Sequence, residues 1–410
     1  MKFNKFISIG KNESRAASKV IASGKLSPFI GSWNFDSNLG GFYGGSNIKK
    51  FENKLSKLFN CKYAICVNSW TSGLVTALGA LEIEPGDEVI VSPWTMCASA
   101  TSILHWFAIP VFADINPKTF NLDPVSIEKN ITNKTKAIIV PEIFGHPSDI
   151  FEIKKLAKKY KLKILSDNAQ SILSKYNNKY SCTQYDVGGL SFNYHKHINT
   201  GEGGAILTNS KKIADKCFLI RNHGEAVVTQ KKTKNIINIV GNNFRLGEIE
   251  SAIGIEQLKK LNKIVKSRVK IAKLLTKGLS GLKGLVTPVV KKNCTHSFYI
   301  YGLILDKNFF KNERKEIINA LKKRNVPVIS GYQNIHLLSM FQKKIAFGSK
   351  GFPWKSEFYN KKISYKKGIC PVAEELHDKY FIGLQLCNYD FNKKNITYII
   401  ETFKKIWKKY

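Results

Sequence analysis

No run of about 18 apolar residues occurs in the chain, so no membrane-spanning helix is predicted. The amino terminus, Met1-Lys2-Phe3-Asn4-Lys5-Phe6, is basic, but no apolar segment follows it, and we read no signal peptide. None of the eight cysteines (61, 66, 97, 182, 217, 294, 370 and 387) stands in a CxxC spacing, which argues against a zinc ribbon or a redox pair. Diluted through 410 residues, several of them in apolar strands, they read as reduced thiols of a cytoplasmic protein. There is no internal repeat and no low-complexity segment. Acidic residues are scarce: 30 Asp and Glu face 65 Lys and Arg, a formal charge of +35. Such a surplus could serve nucleic acid or an anionic membrane face. The lysines, however, run through nearly every helix. In 151–160 the apolar positions form one face and lysines the other. With asparagine and isoleucine also abundant, the charge reads as compositional bias, and neither nucleic acid nor membrane is expected as a partner.

What is present is a globular composition, 43% apolar, at a length that suits two domains or one large domain with an appendage. The first 50 residues read as a glycine-rich, loop-like arm, with Gly40-Gly41-Phe42-Tyr43-Gly44-Gly45 as a flexible cover or linker. A helix is predicted over 49–59. Short uninterrupted apolar strands then alternate with helices. The strands are 63–67, 88–91, 110–114, 137–140 and 163–167, and the helices are 71–81, 96–107, 124–130 and 151–160. That alternation predicts an α/β fold with a mostly parallel sheet covered on both faces. A long helix is predicted from 246 to about 279. After it, a strand over 298–305 and helices over 314–323 and 394–408 read as a smaller α+β domain. The expected division is an arm at 1–50, a large domain at 51–265 and a small domain at 266–410.

Ligands of such sheets bind at the carboxyl ends of strands. Three candidate segments fall there: Asn68-Ser69-Trp70-Thr71-Ser72, Ser166-Asp167-Asn168-Ala169-Gln170, and Ser191 to Gly204 with Lys196 in its middle. Free N–H groups at a helix start, beside small hydroxyls, suit a phosphate, although ordinary capping uses the same residues. Lys196 alone reads as a solvated lysine and Asp167 alone as a turn residue. Gly241-Asn242-Asn243-Phe244-Arg245-Leu246-Gly247-Glu248 precedes the long helix and alone reads as a loop and cap.

Taken in order, these segments resemble the DegT/StrS-type sugar aminotransferases, within the aspartate aminotransferase fold superfamily. The resemblance runs from about residue 25 to the end. It includes Glu84-Pro85-Gly86-Asp87-Glu88-Val89-Ile90, the Asp167 segment, Gly201-Glu202-Gly203-Gly204 after Lys196, and Asn243-Phe244-Arg245 with Glu248, Gly254 and Gln257-Leu258. It implies the fold type I of transferases that depend on pyridoxal 5′-phosphate, with a sheet of seven-stranded type and a smaller C-terminal domain. It implies transfer of an amino group from an amino acid, glutamate by analogy, to a keto-sugar, nucleotide-linked, for amino-sugar or surface-polysaccharide synthesis. Lys196 would link covalently to the cofactor and shuttle a proton. Asp167 would face the pyridine nitrogen and keep the ring an electron sink. Gln170 would lie near the ring hydroxyl, and Trp70, Thr71, Ser72 and Ser191 would hold the phosphate. Met96, with Trp94 nearby, would cover the ring face. Asn243 would reach the phosphate of a neighbouring subunit, making a homodimer with shared sites. Trp70 replaces the family's small glycine, Met96 its aromatic ring-stacker and Ser166 its glutamate.

Some members of this family carry histidine in place of the lysine and act as sugar 3-dehydratases. Counting back from Gly201 puts Lys196, not His195 or His197, at the exchanged position. His195 and His197 lack a third ligand nearby, so no metal is expected. His146 reads as a turn histidine. The acceptor sugar depends on loops 27–47, 226–242 and 330–360, where Trp33, Tyr43, Tyr332 and His336 are candidate contacts.

Overall fold

A computed structural model describes residues 1–31 and 41–410. Trp33 and most of the 27–47 loop's centre therefore lie outside the described residues. The central sheet has seven strands: β1 Tyr63–Val67, β2 Glu88–Val91, β3 Ile109–Phe112, β4 Thr135–Pro141, β5 Lys163–Asp167, β6 Val187–Ser191 and β7 Gly204–Thr208. Their spatial order is β1-β7-β6-β5-β4-β2-β3. Strand β7 runs antiparallel to both its neighbours; the remaining pairings are parallel. Six of the strands are buried along all or nearly all of their length, and β4 apart from one residue, as expected for a sheet covered on both faces.

This order gathers the candidate segments. The carboxyl ends of β1, β5 and β6 lie on one edge of the sheet. Because β7 is reversed, it begins there, with Gly204 opposite both Val67 and Ser191. Gly189 of β6 sits in register with Asp167 of β5. Helix α1 spans Lys11–Ala22, α2 Ser46–Phe59 and α3 Trp70–Ala80. Helix α3 is buried on nearly every side beyond its first turn, as its largely apolar sequence requires.

Helix α1 corrects the loop-like reading of the first 50 residues. Its buried positions are only Glu13 and Val20, so it has no apolar stripe to betray it. Instead the Glu13 carboxylate is buried, accepting from Gln257 Nε2 at 2.8 Å and pairing with Lys260 Nζ at 2.7 Å. Helix α4, Ala98–Leu104, is shorter than the 96–107 expected: the chain closes at Phe107 with φ of 56°. Then come α5 Pro124–Lys129, α6 Ile150–Tyr160, α7 Lys211–Arg221 and α8 Glu248–Leu279. In α6 Ile150, Ile153, Leu156 and Ala157 are buried while Lys154, Lys155, Lys158 and Lys159 stand in solvent.

The smaller sheet pairs Leu285–Val286, Tyr301–Leu305, Phe381–Leu384 and Val328–Ser330 in that order, all antiparallel. Helix α8 joins the two parts. Gly254 near its start meets the Phe51 ring of α2, and Gly278 near its end meets Ile400 of the C-terminal helix Lys393–Trp407. One apolar cluster runs from the large sheet, through Trp94, Phe112 and Phe144, to Tyr301 and Phe381 of the small one. At about 1.5–3 kcal/mol for each fully buried large apolar side chain, this continuity ties the sheets together. None of the eight cysteines pairs with another. Among the described residues, no helix is long and apolar enough to cross a membrane.

Candidate active site

Asp167 ends β5 and is 6% exposed. Every group directed at its carboxylate is a donor. Oδ1 accepts from Trp70 Nε1 at 2.7 Å and from Ala169 N at 3.2 Å; Oδ2 accepts from Ser99 Oγ at 2.7 Å. Ser99 also shares a hydrogen bond with Thr95 Oγ1, four residues earlier and ahead of the helix.

Lys196 projects from the turn after β6, where its backbone N–H bonds to Asn193 O at 3.0 Å. Its Nζ lies 4.6 Å from the Tyr299 ring centroid and has no hydrogen-bond partner among the described residues. Burial pushes the amine down to about 8, while the negative charge of Asp167 pulls the other way. A lysine so shifted is an available nucleophile and proton carrier. Its neighbours add no competing charge at neutral pH. Burial, then Lys196, push His195 down to about 4. Burial pushes His197 to about 4 as well, against the opposing effect of its bond to Ser297 O at 2.9 Å.

At the start of α3, Ser69 caps the helix by accepting from Ser72 N at 3.0 Å. Ser72 Oγ donates to Asn68 Oδ1 at 2.6 Å, so both Ser72 donors are already engaged. The N–H groups of Trp70 and Thr71 are first-turn donors with no helical acceptor, and Thr71 is exposed. Those two N–H groups are donors that an anion could take, and Ser191 on β6, whose Oγ accepts from Asn193 N at 3.4 Å, keeps its hydroxyl hydrogen beside them. The Trp70 backbone lies in this turn, while its indole is buried against Asp167.

Gln170 anchors its Oε1 on Phe144 N at 3.0 Å and donates from Nε2 to Tyr332 Oη at 3.0 Å. The second Nε2 hydrogen remains for a ligand. Met96 is 63% exposed beside this edge, whereas Trp94 is fully buried, stacked on Phe120 and bonded to Asn334 Oδ1 at 2.7 Å. Asn243 is exposed. Its Oδ1 accepts from Arg245 Nε at 2.7 Å, and its carbonyl accepts from Asn68 Nδ2 at 3.5 Å, which puts it beside the α3 cradle.

Other candidates lie elsewhere. His336 is buried against Glu374 Oε1 at 2.9 Å. His146 is buried between Pro147 O and Lys291 N, a loop clamp. Tyr43 packs on Phe218 and accepts from Lys231 Nζ at 2.8 Å. Among the described residues no three metal-ligating side chains cluster. Sequence reasoning missed Ser99 and Tyr299. Ser99 left a faint signal, a hydroxyl four residues after Thr95 on the inward face of a helix; Tyr299, an aromatic in an apolar run, left none.

Comparisons with known proteins show the family of the chain. The model of the DegT/DnrJ/EryC1/StrS aminotransferase family matches residues 37–368. The chain is 34% identical to GDP-perosamine synthase of Escherichia coli O157:H7 over 300 residues, 73% of this chain and 80% of that one. It is 30% identical to the spore coat polysaccharide biosynthesis protein SpsC of Bacillus subtilis, over 87% of this chain and 89% of that one. Its fold superposes on the crystal structure of an aminotransferase from Psychrobacter cryohalolentis with a TM-score of 0.83 and 25% identity, covering 100% of this chain and 99% of that one. The chain belongs to the DegT/DnrJ/EryC1/StrS aminotransferase family and is a sugar aminotransferase.

Proposed function

We propose that this aminotransferase moves an amino group from an amino acid, glutamate, to the ketone of a nucleotide-linked sugar, within amino-sugar or surface-polysaccharide synthesis. The cofactor of the family is pyridoxal 5′-phosphate, and the residues fit it. Asp167 Oδ2 keeps an accepting position for a ring N–H, Gln170 Nε2 keeps a donor for a ring hydroxyl, and the Trp70 and Thr71 N–H groups with Ser191 suit the phosphate. Ser72 joins them only by giving up its bonds to Ser69 and Asn68. Met96 lies exposed to cover the ring face, and Asn243 to reach a second subunit's phosphate.

When bound, the cofactor supplies an electron sink for negative charge developing on the donor's α-carbon. Asp167 Oδ2 would accept from the ring N–H and so sustain that sink. Lys196 Nζ would be the group that holds the cofactor and, once freed, would carry the proton from the donor's α-carbon. The same two residues would serve the keto-sugar in the reverse direction. Tyr299 beneath Nζ limits where the freed amine can swing.

The observation that carries the reading is the unpartnered Lys196 amine, pushed down to about 8, within the field of Asp167. The deciding experiment is an absorbance titration of the cofactor-loaded protein. The lysine-bound band should bleach with glutamate and return with one of a panel of nucleotide-linked keto-sugars. A band indifferent to every amino acid sinks the proposal. The dehydratase reading needs histidine at position 196 and has no observation in its favour. To the same proposal belong a homodimer with shared sites, a cytoplasmic location, and division into an arm at 1–50, a cofactor-binding part at 51–265 and a smaller part at 266–410. The surplus of positive charge suits an anionic nucleotide carrier.

A further inference from the structure

A carboxylate offers four accepting positions, two on each oxygen. On Asp167, Oδ1 is filled by Trp70 Nε1 and Ala169 N, and Oδ2 holds only Ser99 Oγ. The one open position is on Oδ2. Which oxygen is open is thus decided by where the indole N–H reaches, and the indole reaches Asp167 through a slot built for it. A Cβ on Gly189 would lie 1.9 Å from the indole, and one on Gly73 2.5 Å from it. Gly189 is also the register partner of Asp167 across β5 and β6, so the slot opens directly under the carboxylate. A buried indole N–H needs an acceptor in any fold. Here the acceptor is the one carboxylate that the chemistry uses.

We propose that Trp70 is a positioning residue for Asp167: its N–H occupies Oδ1 and sets the carboxylate with Oδ2 toward the cofactor's ring nitrogen, while Ser99 steadies Oδ2 from the side. The proposal rests on the cofactor reading above. It assigns to the Trp70 side chain a role separate from that of its backbone in the anion cradle. The tryptophan in the helix-start motif and the two glycines facing it then form one device.

The test loads wild type, Trp70→Phe and Ser99→Ala with pyridoxal 5′-phosphate carrying 15N at the ring nitrogen. In W70F the cofactor dissociation constant should rise roughly tenfold, the lower end for loss of a hydrogen bond to a charged group. The ring 15N shift should move toward that of the unprotonated ring, and kcat should fall while KM for the amino donor holds. S99A should move the 15N shift the same way. A merely structural tryptophan would lower the melting temperature of W70F and leave the 15N shift at its wild-type value; that result overturns the proposal. If W70F does not fold, S99A decides, and an unmoved shift there overturns it equally. A wild-type chain that binds no cofactor overturns the reading beneath as well, an outcome distinct from a normal wild type beside an unaltered W70F.

Discussion

Burial pushes the Lys196 amine down to about 8 against the pull of Asp167, and this has a kinetic consequence. In the proposed role it is the neutral amine that would attack the cofactor, and at pH 7 roughly one amine in ten is neutral for a pKa near 8. The rate of covalent cofactor capture by the apo protein should therefore rise about tenfold per pH unit below 8 and level off above it, read by stopped-flow absorbance. A profile still climbing at pH 10 would mean an unshifted lysine. Lys196→Arg should abolish turnover, because a guanidinium cannot be deprotonated in this range; retained activity would remove Lys196 from the mechanism. Met96 makes a different case. At 63% exposure it adds little to the fold, so Met96→Ala should leave apo stability within ~0.5 kcal/mol. If its sulfur covers the cofactor ring, the same change should weaken cofactor binding several-fold, in line with sulfur–aromatic contacts of ~0.3–1.5 kcal/mol. Paired melting and binding titrations separate the two effects.

At the scale of elements, α1 shows where pattern reading loses its grip. A helix held by an apolar stripe announces itself at a spacing of three and four residues. Helix α1 is docked through Glu13, Gln257 and Lys260 instead. Burial raises the Glu13 carboxyl, but the donors from Lys260, Gln257 and the backbone outweigh it, leaving the group below its ordinary value of 4.5. A carboxyl lowered in the folded state contributes stability above about pH 4.5, and that contribution disappears as pH falls through the lowered value. Amide protection in α1, taken relative to the intrinsic exchange rate at each pH, should accordingly fall on acidification below pH 4.5 before that of the central sheet does. Glu13→Gln should exchange faster at pH 7, by about 1–3 kcal/mol of local stability, with little further change toward acid. Equal exchange in both proteins across that range would mean that the ion pair does not hold the helix.

On the scale of the whole molecule, the open question is whether one chain makes a site. Asn243 lies exposed beside Asn68 at the α3 cradle, where a second chain could meet it. Mixing Lys196→Arg with Asn243→Ala tests this directly. If the sites are shared, each mixed dimer rebuilds one intact site, and the mixture should exceed the mean activity of the two variants measured apart. Activity equal to that mean would place Asn243 in its own chain's site. The arrangement of the chain explains why one crevice exists at all. Strand β7 runs backwards between β1 and β6, so its glycine-rich start closes the edge where three parallel strands end.

Apolar periodicity alone determined the alternation of strand and helix, because buried strands and helices in a covered parallel sheet must be apolar whatever their neighbours. The order of short motifs and their resemblance to the family marked Lys196, Asp167, Gln170 and the Trp70-Thr71-Ser72 turn as candidates, each at or soon after the end of a strand. Tertiary structure alone decided the rest. The bond from Trp70 to Asp167 spans 97 positions and that from Ser99 to Asp167 spans 68, and no local pattern records a contact between residues so far apart. The lowered Lys196 amine likewise depends on how deeply the fold buries it, which is a property of packing around the residue and not of the residue itself.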